Sequence, residues 1–296
     1  MLPSPCRRVV VGSDLSRGSD GAMRLAIAWA VQQDADVLVV HAATGLSADA
    51  RIDLEAALRV QASEAAADEL ARPIEFLLVD DTPLRALLAA ATSDGDWLCV
   101  GCEGASATVL RQPGHVASAL AAAPPCPLLL GTLGWSAPPR RRHRAASGSG
   151  LGARKRVAAT LGRVLVGVPG TKRDAELITA GIDRALGSNG SVALVHVMDV
   201  SATRFHPASS RAMLRAQTDA TSVRERERLT DLANELVPLE LAARQDVQVH
   251  VVVQGPPERD LAGLARSQSS ELLIVGGGPV AGRLPAFLPC PALVLP

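Results

Sequence analysis

The glycine-rich stretch VGCEGASATVLRQPGH is the part of this sequence whose residue types and spacing best suit ligand binding. Gly101 and Gly104 form a G-x-x-G pattern, and Gly114 follows after nine further residues. Glycines let backbone N–H groups come close to a ligand, and phosphate is the usual ligand of such loops. Glu103 lies inside the pattern and would repel a phosphate unless Arg111 screens its charge. The stretch has the layout of a phosphate-binding loop with altered chemistry.

A second candidate is the loop Gly12-Ser13-Asp14-Leu15-Ser16, which directly follows an apolar run. In an open parallel sheet, ligands bind beyond the carboxyl ends of the strands, near the point where the strand order reverses. Both loops leave apolar runs, so both are candidates for such a site. Taken alone, Asp14 is as compatible with a loop-forming Asx turn as with ligand binding.

The composition favours a soluble protein without a strongly charged partner. The chain has 296 residues, enough for two cores, and it is 48% hydrophobic with only 2% aromatic residues. Its 30 basic and 30 acidic residues cancel, which argues against nucleic acid and membrane surfaces as partners. The stretch 112–139 is free of charged residues, but its six prolines exclude a membrane helix. The N-terminus has no apolar signal region, and the five scattered cysteines do not form a secreted disulfide framework. We therefore expect a cytoplasmic location.

The sequence contains two copies of one plan. The runs 8–12 and 37–42 have counterparts 155 residues later, at 163–167 and 192–197. Two further pairs, WLCVG with LLIVG and PCPLLL with PCPALV, follow in the same order. Four matches in one order indicate a duplicated domain.

Each copy alternates short apolar runs with longer alanine-rich segments of helical spacing. The predicted strands of the first copy are 8–12, 37–42, 74–79, 97–101 and 127–131, and its predicted helices are 19–33, 48–71, 83–93 and 114–122. The second copy repeats the pattern with a longer charged helix across 208–244. Strands without polar alternation are covered on both faces. The predicted fold class is therefore α/β, with two doubly wound parallel-sheet domains in tandem.

We place the first domain at 1–133 and the second at 161–296. The stretch 134–160 between them combines Pro, Gly and Ser with a basic cluster, RRRHR. This composition is typical of a flexible linker. A nucleic-acid patch is the less favoured interpretation, because no aromatic residues are interleaved to stack on bases.

With these motifs the chain resembles the universal stress protein family. Its nucleotide-binding members carry an aspartate in the loop after the first strand, and the G-x-x-G pattern with a further glycine nine residues on, ahead of a helix. The family also leads into its last strand with a proline-rich segment, often Pro-Cys-Pro. Here Asp14, the loop that starts at Gly101, and the segments around Cys126 and Cys290 match these features. The resemblance covers both copies and implies the adenine-nucleotide α-hydrolase-like version of the doubly wound fold.

The resemblance also implies that the first domain alone binds an adenine nucleotide, ATP, as its ligand. Asp14, with Ser13 beside it, would contact the adenine or ribose side, and the backbone at Ala42 would face the base. The glycines of the loop and the start of the next helix would wrap the phosphates. The implied residues are Ser13, Asp14, Ala42, Gly101, Gly104, Gly114, His115 and Val116.

Two positions depart from the family pattern. His115 stands where the family has Ser or Thr, which removes a compact hydroxyl, although an imidazole can also donate to a phosphate. Glu103 stands where members commonly carry a basic residue.

The second copy departs further. Pro169 takes the place of the aspartate, and the stretch from Gly276 to Pro289 is eleven residues shorter than the stretch from Gly101 to Pro125. The missing residues would have held most of the glycine loop. We expect the second copy to have lost nucleotide binding and to serve as a packing partner.

Other reactive residue types fit structural roles. Cys99 and Cys102 straddle a strand end, so we expect one strand cysteine and one loop cysteine rather than a redox pair. His41 and His196 recur at matched strand ends, where packing or capping of the backbone is the expected role. No cluster has metal-ligand spacing and no nucleophile lies in an elbow motif with a base, so we predict no metal site and no catalytic site.

The leading functional hypothesis is a tandem universal stress protein that binds adenine nucleotide as a regulator and is not an enzyme. A nucleotide-free protein-interaction module of the same fold, with an unknown protein partner, is the alternative suggested by Glu103 and His115. An enzyme of the wider α-hydrolase-like group is disfavoured because no catalytic constellation is found.

The final apolar runs of the two copies, 128–130 and 293–295, are predicted to lie at sheet edges, as the family's topology implies. An exposed apolar edge invites pairing with another edge. We therefore predict an intramolecular pseudo-dimer in which these two strands pair and the basic linker spans the outside, with a homodimer as a further possibility.

Overall fold

The structure is a computed structural model that describes residues 5–66, 72–103, 114–133, 135, 162–188, 190–199, 208–238 and 246–296. The strands of the first copy are β1 (Arg8–Gly12), β2 (Asp36–Ala42), β3 (Ile74–Val79), β4 (Asp96–Gly101) and β5 (Leu128–Gly131). Those of the second copy are β6 (Arg163–Gly167), β7 (Ser191–Asp199), β8 (Val247–Gln254), β9 (Leu272–Gly276) and β10 (Ala292–Leu295). Gly104, Arg111 and all of the predicted linker except Trp135 lie outside the described residues.

Helices alternate with these strands in both copies. The first copy has α1 (Arg17–Gln33), α2 (Ala48–Ala66), α3 (Pro83–Ala90) and α4 (His115–Ala122). The second has α5 (Asp174–Ser188), α6 (Ala208–Leu236), α7 (Pro257–Ser267) and the short α8 (Pro279–Arg283), which a 3-10 turn at Leu284–Ala286 extends. None of the helices within the described ranges is both long and apolar enough to cross a membrane.

The strands form one sheet in the order β3-β2-β1-β4-β5-β10-β9-β6-β7-β8. Each copy contributes five parallel strands with the same internal order, so the predicted tandem of doubly wound domains is confirmed. Successive strand residues point to opposite faces: Val9 and Val11 enter one apolar cluster, and Val10 enters the other. Both clusters contain residues of both copies, so the two halves share their cores.

Predicted helix ends differ from the structure, and at two of them a side-chain hydrogen bond lies beside the observed end. The first helix begins at Arg17 rather than at residue 19, because the Ser16 side chain caps it by accepting from the Ser19 N–H. The third ends at Ala90, ahead of a turn in which the Asp96 carboxylate accepts from the Ser93 N–H. The long helix of the second copy ends at residue 236 rather than 244.

The two copies meet where β5 pairs with β10. This is the antiparallel pair that joins the parallel halves, with Leu129 opposite Leu293 and, on either side, Leu130 opposite Ala292 and Leu128 opposite Val294. The pairing is reciprocal about Leu129 and Leu293, which are equivalent positions of the two copies. The predicted edge-to-edge pairing of the last strands is therefore confirmed, and it has the symmetry of a twofold dimer.

A second contact between the copies is a cation–π stack. The Arg184 guanidinium of α5 lies 3.6 Å from the centre of the Trp29 ring in α1 and 5.9 Å from that of Trp97 in β4. The two rings are tilted against each other with their centroids 5.5 Å apart. Arg184 also donates to the Gln32 side chain at 3.2 Å. Burial lowers the pKa of Arg184 to about 10, so it stays charged at neutral pH and the stack keeps its electrostatic component.

Deleting residues 291–296 should cause oligomerisation or aggregation. The deletion removes β10 and leaves β5 as an edge strand, paired only with β4 and with its buried leucines uncovered on the other side. Light scattering of the truncated and parent proteins measures the effect. A truncated protein that keeps the size and solubility of the parent would contradict the role given to this strand pair.

Replacing Arg184 by Ala should lower the free energy of unfolding by about 1–2 kcal/mol, because the two tryptophan rings lose their partly buried cation. Urea unfolding followed by tryptophan fluorescence measures it. Arg266→Ala, at an exposed position near the end of α7, is the matched control and should change stability by less than about 0.5 kcal/mol. Equal stability of the two variants would show that the stack contributes nothing.

Candidate functional site

A cavity of about 300 Å³ opens at the carboxyl ends of β1 and β4. These strands are neighbours in the sheet, with β2 on the far side of β1 and β5 on the far side of β4. The strand order therefore reverses between them, and ligands of open α/β sheets bind at this position.

The cavity brings together most of the residues singled out in the sequence. Seven of the eight line it, namely Ser13, Asp14, Ala42, Gly101, Gly114, His115 and Val116. Glu103 lines it as well. The eighth residue, Gly104, lies outside the described residues. Two loops and two strand ends that are distant in the sequence thus meet around one space.

The inner wall of the cavity is apolar. It includes Val40 of β2, Leu87 of α3 and Val100 of β4, all of them buried. Pro83, at the start of α3, also lines the space. Apolar walls with a few polar groups at the rim are typical of small-molecule sites.

The loop after β1 is held by its own side chains. The Asp14 carboxylate accepts from the Ser16 N–H at 3.0 Å, which closes an Asx turn at the entrance to α1. Asp14 itself is exposed at the rim of the cavity. The two interpretations of Asp14 are therefore compatible, because the turn holds the carboxylate at the cavity.

Beneath this loop lies a buried polar network that the sequence did not reveal. The Ser13 hydroxyl donates to the Gln61 side chain of α2 at 2.6 Å. The Gln61 amide in turn donates to Ser19 at 3.1 Å and to Asp20 at 2.5 Å. Gln61 is only 9% exposed, so these bonds satisfy a polar group that would otherwise be costly to bury. The Ser13 side chain thus supports the loop from below.

The loop after β4 is fastened at both of its ends. The Cys102 N–H donates to the Gly131 carbonyl at 3.0 Å, and the Gly114 N–H donates to the Cys102 carbonyl at 2.9 Å. At the first end the backbone of the loop touches α1: a Cβ on Gly18 would lie 1.8 Å from the Glu103 carbonyl oxygen. Only glycine fits at position 18, and this close approach fixes the backbone of Glu103.

Gly114 is the N-cap residue of α4 and provides no side-chain cap. His115, Val116 and Ala117 form the first turn of α4 and line the cavity. The N–H groups at the start of a helix have no partner within the helix, and the helix dipole favours negative charge there. This end of the cavity can therefore hold an anionic group.

Two histidines cap the backbone at matched positions, as predicted. His41 Nδ1 lies 2.8 Å from the Ser13 carbonyl oxygen, and His196 Nδ1 lies 2.8 Å from the Val168 carbonyl oxygen. Each ties the end of a second strand to the loop after the first strand of its copy. Both imidazoles therefore have a structural role.

The cysteines are buried rather than reactive. Cys99 lies in β4 and donates to the Ala22 carbonyl at 3.3 Å, and Cys102 lies in the loop that follows. Burial raises the pKa of Cys99 far above its usual range and that of Cys102 to about 12. Both thiols are protonated at neutral pH, which agrees with one strand cysteine and one loop cysteine rather than a redox pair. Within the described ranges, no group of three or more His, Cys, Asp and Glu residues could hold a metal ion.

The equivalent loop of the second copy is organised differently. The buried Asp174 carboxylate accepts from the Gly170 N–H at 3.1 Å and from the Thr171 N–H at 2.9 Å. It also pairs with Arg228 of α6 at 2.7 Å. The loop N–H groups that could meet a ligand are therefore bonded to a side chain of the protein itself.

An arginine also occupies the space beside the end of β9. Arg173 is the counterpart of Gly18, and its guanidinium donates to the Leu295 carbonyl at 3.1 Å and to the Pro296 carbonyl. A Cβ on Gly276 would lie 3.4 Å from this guanidinium. At the equivalent position of the first copy, the loop backbone lies against Gly18. The crevices at the strand ends of the two copies therefore differ in shape and charge.

Solved structures show the same fold over the whole chain. A functionally unknown protein from Pseudomonas aeruginosa PAO1 is 14% identical, with 98% of this chain and 92% of that chain covered and a TM-score of 0.60. A universal stress protein from Archaeoglobus fulgidus DSM 4304 is 15% identical, with 97% of each chain covered and a TM-score of 0.56. A universal stress protein in complex with cAMP is 28% identical over 44% of this chain and 99% of its own, with a TM-score of 0.38. No curated protein matches the sequence.

The family model of the universal stress protein family matches residues 5–130. These residues contain the five strands of the first copy up to Leu130, both candidate loops and the cavity between them. The first copy, over residues 5–130, therefore matches the universal stress protein family.

Proposed function

We propose that the first copy binds an adenine nucleotide, ATP included, as a regulatory ligand, and that the protein acts as a stress-response regulator rather than as an enzyme. The observation that carries this proposal is the cavity at the strand-order reversal, around which seven of the eight implied residues meet. Its apolar wall suits a base, and the first turn of α4 suits a phosphate.

The state of the cysteines supports binding rather than covalent catalysis. Cys102 lies between Gly101 and Glu103, which both line the cavity, and burial raises the pKa of its thiol to about 12. Burial likewise raises the pKa of Cys290 to about 12. A thiol that stays protonated at neutral pH is a poor nucleophile.

The arrangement of the second copy supports one ligand per chain. Asp174 takes up the loop N–H groups, and Arg173 lies across the ends of β9 and β10. Pro169 replaces the exposed aspartate of the first copy. The second copy then acts as a structural partner for the first.

A nucleotide-free interaction module is the second candidate, and exposed apolar side chains on α6 favour it. Met213 is 67% exposed and Val223 is 56% exposed. Mass spectrometry of small molecules released from the purified, denatured protein distinguishes the two candidates, because a bound adenine nucleotide would support the first and its absence the second.

Calorimetric titration of the full chain with an adenine nucleotide should give one site per chain. Asp14→Ala should weaken binding by about tenfold, because a charged hydrogen-bond acceptor is lost at the rim of the cavity. Pro169→Ala, at the equivalent position of the second copy, is the matched control and should leave the Kd unchanged. Two sites per chain, or equal effects of the two substitutions, would contradict the assignment of the site to the first copy.

The second copy should also influence binding through α4. A Cβ on Gly282 of α8 would lie 2.9 Å from the Ala122 Cβ and 3.2 Å from the Ser118 carbonyl oxygen, so Gly282→Val forces α8 and α4 apart. Because the first turn of α4 lines the cavity, we expect nucleotide binding to weaken by about three- to tenfold.

The control for this variant is Gly263→Val, at an exposed position of α7 where a Cβ meets nothing within 4 Å. Circular dichroism checks that both variants are folded. An unchanged Kd in a folded Gly282→Val protein would show that α4 does not transmit the packing of α8 to the cavity.

A further inference from the structure

The described lining of the cavity contains more acidic than basic side chains. Glu103 and Asp14 both line the cavity, whereas His115 is the one side chain in its described lining that can carry a positive charge. The lining of a phosphate site is ordinarily rich in Lys and Arg, because these side chains neutralise the ligand. The described part of this lining has the opposite balance.

The position of Glu103 is fixed by the backbone. Its neighbour Cys102 is buried and bonded through its N–H to Gly131 and through its carbonyl to Gly114. The second of these bonds brings the start of the loop against the N-cap of α4, so Glu103 and the first turn of α4 lie at the same end of the cavity. The contact of the Glu103 carbonyl with Gly18 prevents the backbone from swinging away.

Because Glu103 lines the cavity, its negative charge repels a phosphate bound there. The cavity volume, about 300 Å³, is at the lower end of the range for small-molecule sites, about 300–1,000 Å³. The apolar wall and the small volume suit the nucleoside part of a ligand better than a long phosphate chain.

We propose that the cavity selects nucleosides over nucleotides, so that adenosine binds more tightly than AMP and AMP more tightly than ATP, with Glu103 as the residue that sets this order. This inference rests on the proposed adenine-ligand site in the first copy. The site then fills first with the dephosphorylated ligand, and with ATP only at higher concentration.

Calorimetric titration of the full chain with adenosine, AMP and ATP, at low salt and without divalent cations, tests the proposal. The expected order of Kd is adenosine below AMP below ATP. Glu103→Gln should lower the ratio of the Kd for ATP to the Kd for adenosine by about two- to fivefold, as expected for a partly exposed charge. Glu103→Arg should lower this ratio further. Glu235→Gln, at an exposed position of α6, is the control that should leave it unchanged.

The outcomes separate this inference from the proposed function. Tighter binding of ATP than of adenosine overturns the inference and leaves the adenine-nucleotide site in place. A ratio that does not change in Glu103→Gln overturns the role of Glu103. Failure of all three ligands to bind overturns the proposed function, and the inference with it.

Discussion

Antiparallel hydrogen bonding between β5 and β10 is the contact on which the rest of the structure depends. Each of these strands is the last of its own five-stranded unit, and each has all its side chains buried. Left at an edge, either strand would expose apolar side chains and unpaired backbone groups to water. Their pairing joins two sheets into one, and residues of both copies then pack in each of the two apolar clusters. The domains are therefore halves of one folded unit.

Because the pairing is centred on the equivalent residues Leu129 and Leu293, equivalent positions of the two copies come together near a twofold axis. In a dimer of identical chains, such positions would hold the same residue. Duplication within one chain removes that restriction, and the equivalent positions 29 and 184 now hold a tryptophan and an arginine that stack on each other. Two arginines at these positions would repel each other. The arginine–tryptophan stack can therefore form only where the two copies are joined in one chain and differ in sequence.

Duplication within one chain has also let the crevices at the strand ends of the two copies become different. Equivalent helices are tied together by Ser19 and Gln61 in the first copy and by Asp174 and Arg228 in the second, so a neutral hydrogen bond corresponds to an ion pair. The ion-paired carboxylate also takes up the loop N–H groups of its own copy. The second copy passes from β9 to α8 without the long glycine loop, and α8 packs on α4 through Gly282. The second copy thus lacks the glycine loop, and its α8 supports the helix that lines the cavity of the first copy.

Local patterns in the sequence were sufficient for the fold class, the duplication, the strand positions and the two loops that meet at the cavity. Apolar runs, glycine spacing and an internal repeat are properties of neighbouring residues, and the carboxyl ends of parallel strands meet at one sheet edge whatever the side chains are. The edge pairing was predictable for the same reason, because an apolar last strand needs a partner. The helix ends were less certain, since caps and turns such as those at Ser16 and Asp96 depend on single hydrogen bonds. The contacts of Gln61 with Ser13, of Arg184 with Trp29 and of Gly18 with the Glu103 backbone join residues 48, 155 and 85 positions apart. No local periodicity encodes such contacts, because they arise only when packing brings distant elements together, and they therefore required the folded chain.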